Sequence, residues 1–64
     1  MPNIENQDPS GKVQSGVTLS VTDAQSEDEV ILAVENYLRV NKKEELEFAL
    51  PEKGDNGTYL VKLQ

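Results

Sequence analysis

The sequence predicts an α+β domain of order β-α-β-β, and three observations carry that expectation. Val17, Leu19 and Val21 alternate with Thr18, Ser20 and Thr22. Apolar residues then recur at helical spacing from Val30 to Val40. Two more alternating runs, Glu45 to Leu50 and Thr58 to Leu63, flank a polar stretch from Glu52 to Gly57. Period two marks a half-buried strand, and a period near 3.6 marks an amphipathic helix.

The chain opens on Met1 to Ser15, where only Met1, Ile4 and Val13 are apolar and Pro2, Pro9 and Gly11 interrupt. Little area is on offer there against the entropy of ordering. Residues 1–15 are therefore expected to be a disordered tail, and 16–64 a single small domain. Deleting the tail is expected to change melting little.

Gly16 precedes the first strand, which carries one apolar face and one hydroxyl-bearing face. Asp23 begins the turn out of it. Ser26-Glu27-Asp28-Glu29 has the S-x-x-E form of a capping box. In that motif Ser26 accepts from the backbone N–H of Glu29, and Glu29 reaches back to the N–H of Ser26. Acids in the first turn also suit the positive end of the helix dipole. The helix is expected from Glu27 to Val40, with Asn41 in a left-handed conformation at its end and Lys42 and Lys43 beside its negative pole. Val30, Ala33, Val34, Tyr37, Leu38 and Val40 form its apolar stripe, with Ile31 at the edge. Asp28, Glu35, Asn36 and Arg39 lie opposite, and Glu35 and Arg39 stand in the favourable i,i+4 order. Leu32 is the exception, an apolar residue on the charged face.

Leu46, Phe48 and Leu50 define a second strand, which Pro51 ends because it has no N–H to give a ladder. Asn56-Gly57 belongs to the turn that follows. Tyr59, Val61 and Leu63 define a third. The helix stripe and the apolar sheet face must cover each other. Tyr59-Leu60-Val61 is apolar on both faces, as a central strand can be, whereas the second strand ends on an edge-like Pro51. The expected architecture is one helix packed on a three-stranded mixed sheet of order 1-3-2, with the first two strands parallel. The expected core is Val17, Leu19, Val21, Val30, Val34, Tyr37, Leu38, Leu46, Phe48, Tyr59, Val61 and Leu63.

Composition narrows the function more than any motif does. Among 64 residues there is no His and no Cys. The usual general base near neutral pH, thiolate nucleophiles and soft-metal sites are thereby excluded. No Gly-rich phosphate loop is present, and the acid pairs sit at exposed ends where water keeps them ionised. The chain is read as no enzyme, with no catalytic, cofactor or metal residues. Twelve acids against six bases set the formal charge at −6. An acidic surface repels nucleic acid and anionic membranes and favours basic proteins. Tyr59 and Phe48 are read as core aromatics, not as a base-stacking platform. No apolar run approaches a membrane helix. Met1 to Ser15 also lacks the apolar core of a secretory signal, which points to the cytoplasm.

The expectation is a small acidic protein-binding module, a regulator or inhibitor of a basic partner. Its candidate interaction surface is Leu32 with Glu35 and Asp28 on the helix, and Leu60 on the open sheet face. Two alternatives stand beside it. One is a structural subunit or homodimer, suggested by a thin core and an open edge. The other is a calcium- or small-ligand-binding domain, suggested by oxygen donors at Asp55-Asn56-Gly57 and Glu52; turn formation explains those residues without a ligand.

Overall fold

The computed structural model describes residues 2–64. The elements run β1 (Asn3–Asn6), β2 (Thr18–Thr22), α1 (Glu27–Val40), β3 (Glu52–Lys53), a 3-10 turn (Asp55–Gly57) and β4 (Tyr59–Lys62). The sheet has four strands in the order β1-β2-β4-β3, and every neighbouring pair is antiparallel. No helix among the described residues is long and apolar enough to cross a membrane.

The α+β class stands, but the three-stranded mixed sheet of order 1-3-2 with a disordered tail does not. The tail supplies a fourth strand. Asn3, Ile4, Glu5 and Asn6 face Thr22, Val21, Ser20 and Leu19 in register. Pairing satisfies the free backbone groups of β2, which would otherwise stand as an open edge. Ile4 and Val13 also pack against the core. The chain turns back at Asp8-Pro9-Ser10-Gly11, where Gly11 N donates to Asp8 O (2.9 Å). Asp, Pro and Gly stand at the turn positions that favour them. Met1 lies outside the described residues.

The second expected strand is corrected too. Between Glu45 and Leu50 the backbone makes only one isolated bridge, Phe48 opposite Leu63. Ala49 N donates to Lys62 O (2.9 Å) and Gln64 N to Glu47 O (2.8 Å). The regular ladder resumes only beyond Pro51, as β3 against Leu60 and Tyr59. Pro51 has no donor, so the pairing is interrupted there, and Leu50 is 75% exposed.

Helix α1 forms where its signals place it. Ser26 Oγ accepts from Glu29 N (3.3 Å). The return arm of the box differs, because Glu29 Oε1 accepts from Gln25 N (3.3 Å) instead of Ser26 N. At the other end Lys43 N donates to Leu38 O (2.7 Å) and Lys42 N to Arg39 O (3.0 Å). These are the two bonds of a Schellman ending. It places Lys42 at φ 59°, while Asn41 keeps φ −89°. The left-handed residue is thus Lys42 and not Asn41, whose Nδ2 instead donates to Tyr37 O (2.8 Å).

Val30, Val34 and Leu38 from α1 meet Val17, Leu19, Val21, Val61 and Leu63 in one buried core. Tyr37, Leu46, Phe48 and Tyr59, also expected inside, are only half-buried around it. Val40, placed on the helix stripe, is the last residue of α1 and is 71% exposed.

Candidate interaction groove

The half-burial of Leu46 and Phe48 has a geometric consequence. After the Schellman ending the chain turns at once, with Leu46 N donating to Lys43 O (3.0 Å). It then runs back past α1 toward the bridge at Phe48. Between this returning segment and the helix lies an open groove of about 680 Å³. That volume falls within the range of clefts that bury small ligands or short peptide epitopes.

One wall is helical. Leu32, Glu35, Asn36 and Arg39 line it, spaced three, four and seven residues along one side of α1. The floor holds Leu38, Leu46 and Phe48, and the far side presents Glu44, Glu47 and Gln64. Carboxylates therefore stand on both sides of an apolar floor. Arg39 is the one base of the lining, and its Nη2 donates to Asn36 Oδ1 (2.5 Å) along the helix. Leu32 remains 66% exposed at the lip.

The four candidate residues lie in three places. Leu32 and Glu35 share the groove wall. Asp28 is exposed in the first helical turn and lines none of the three clefts described here. Leu60 points the other way. Val61 and Leu63 are buried toward the helix, so Leu60 and Lys62 project from the far sheet face. There Leu60, 42% exposed, borders a shallow depression of about 180 Å³ with Thr18, Ala49, Leu50, Glu52 and Lys62. A third hollow, of about 350 Å³, lies along the β1–β2 connection, between Gln7-Asp8 and the stretch from Gln14 to Thr18.

Sequence reasoning missed Leu46, Phe48, Glu44 and Glu47 as groove residues. Leu46 and Phe48 read as core because alternation reports which side a residue faces and not how deeply it is covered. Asp55, Asn56 and Gly57 form the 3-10 turn, in which Asn56 adopts φ 57°. Among the described residues no three acidic side chains converge to hold a metal ion. No charged or polar side chain is buried among them either.

No family model matches this chain, and no curated protein and no solved structure is significantly similar to it.

Proposed function

We propose that the chain is a small acidic, non-enzymatic protein-binding module that holds a basic partner at the groove between α1 and segment 44–48. The carrying observation is the lining: Glu35, Glu44 and Glu47 surround the apolar floor, with a single arginine among them. A net charge of −6 extends the same field over the whole molecule. It steers basic proteins toward the groove and repels nucleic acid and anionic membranes. A module of this kind regulates or inhibits by covering its partner's basic surface. The absence of His and Cys from the composition supports the non-enzymatic reading. The cytoplasm belongs to the same proposal as its compartment.

Titration of the isotope-labelled chain with an oligolysine peptide tests the reading by NMR. Amide shifts should concentrate at Glu35, Glu44 and Glu47 and disappear at high salt. Small shifts spread evenly over every acidic residue would show that no site exists.

A specific observation favours a second reading, a homodimer or assembly subunit packed through the far sheet face. Leu50 and Leu60 are exposed there, and Lys62 and Glu52 line the same depression. A two-fold-related copy can pair those opposite charges while covering both leucines. Light scattering that reports a concentration-independent monomer would remove this reading.

A further inference from the structure

We propose that the groove recognises a short peptide segment built as one large aliphatic or aromatic side chain with Lys or Arg on both sides of it. The inference rests on the protein-binding reading and names the ligand that this reading leaves open. Two features of the groove set the order of chemistry along the ligand. The floor of Leu38, Leu46 and Phe48 is apolar, with Leu38 98% covered and Phe48 and Leu46 only half-covered. A side chain seated on it removes apolar surface from water on both partners, and exposed Leu32 adds further apolar surface to the lining. The acids are divided between the two walls: Glu35 stands on the helix, one turn from Arg39, whose hydrogen bond goes to Asn36, and Glu44 and Glu47 stand on the returning segment. A ligand with a base on one side only would leave one wall's carboxylate unmatched. A base on each side of the anchor matches both.

The groove also selects against other occupants. An acidic segment meets three carboxylates. A purely basic segment without an anchor gains charge attraction but leaves the floor wet, and exposed charge pairs alone contribute little at physiological salt.

The test uses the full chain and two short peptides of equal charge, with lysines at both ends and either leucine or serine at the centre. Affinities come from NMR titration read at the amides of Leu46 and Phe48. The leucine peptide should bind about tenfold more tightly or better, as expected for burying one such side chain. Leu32→Ser, at an exposed position, should narrow that ratio. Glu44→Gln combined with Glu47→Gln should weaken both peptides alike. Equal affinity of the two peptides at the groove would overturn the anchor and leave the basic-partner reading standing. Silence at the groove with both peptides would overturn both.

Discussion

The two outer edges of the sheet are built by different means. On the β1 side a continuous four-residue ladder joins β2, and the connection behind it is tied by polar side chains. Asp8 N donates to Asn6 Oδ1 (2.8 Å), Ser10 Oγ to Asp8 Oδ2 (3.0 Å) and Asn6 Nδ2 to Lys12 O (2.8 Å). On the β3 side the pairing is two residues long, broken at Pro51, and continued by the isolated bridge at Phe48. There the chain is held by half-buried Leu46 and Phe48. Beside β1 the apolar anchors Ile4 and Val13 pack on the core, and the hollow along the connection is lined by other residues, Gln7, Asp8, Gln14 and Ser15 among them. Beside β3 the anchors Leu46 and Phe48 themselves line the groove, among carboxylates. Anchoring a segment and offering a surface are thus the same contact on the β3 side and separate ones on the β1 side.

The comparison can be broken most directly at the β1 edge. Removal of residues 1–15 is expected to cost on the order of 3 kcal/mol, through a lost ladder and the contacts of Ile4 and Val13. Urea denaturation of the shortened chain measures it. A change of only a few tenths would mean that β2 tolerates an open edge. Phe48→Ala should cost about 2 kcal/mol, less than for a fully buried ring because Phe48 is half-covered. If this variant proves less stable than the shortened chain, the edge beside the groove is the stronger of the two. Asp8→Ala removes the carboxylate that accepts from Ser10 N and Ser10 Oγ and should cost about 1 kcal/mol; an unchanged midpoint would show that the turn holds without those two bonds. Lys42→Gly acts at the start of the groove-side connection and should have the opposite sign. It relieves a left-handed backbone that favours glycine, offset by the glycine's greater freedom when unfolded. The expected gain is a few tenths of a kcal/mol, up to about 1. A loss there would show that the Lys42 side chain itself contributes to the ending.

Part of the site was legible in advance. Leu32 was marked by its phase on the helix, and Glu35 by its neighbourhood, and both line the groove. Leu60 stands on the open sheet face, where its alternation places it. Asp28 lies off the groove because a helical wheel gives the side of the helix and not how far along it the returning segment reaches. The expected left-handed Asn41 shows a similar limit. Asn favours that conformation among non-glycine residues, yet the helix runs to Val40 and the hydrogen-bond pattern then requires the turn one residue later, at Lys42.

The amino-acid sequence by itself determined α1, β2, β4 and the eight residues buried between them. Caps and apolar periodicity are properties of neighbouring residues, and each of these elements sends side chains fully into the core. Only the tertiary structure decided the edges. β1 joins through backbone bonds, which any non-proline residue offers, and Ile4 is the one apolar side chain among its four residues. The segment 44–53 is divided by Pro51 against a partner strand that local reading cannot locate. The groove follows from that division, since depth of burial is set by what arrives on the other side.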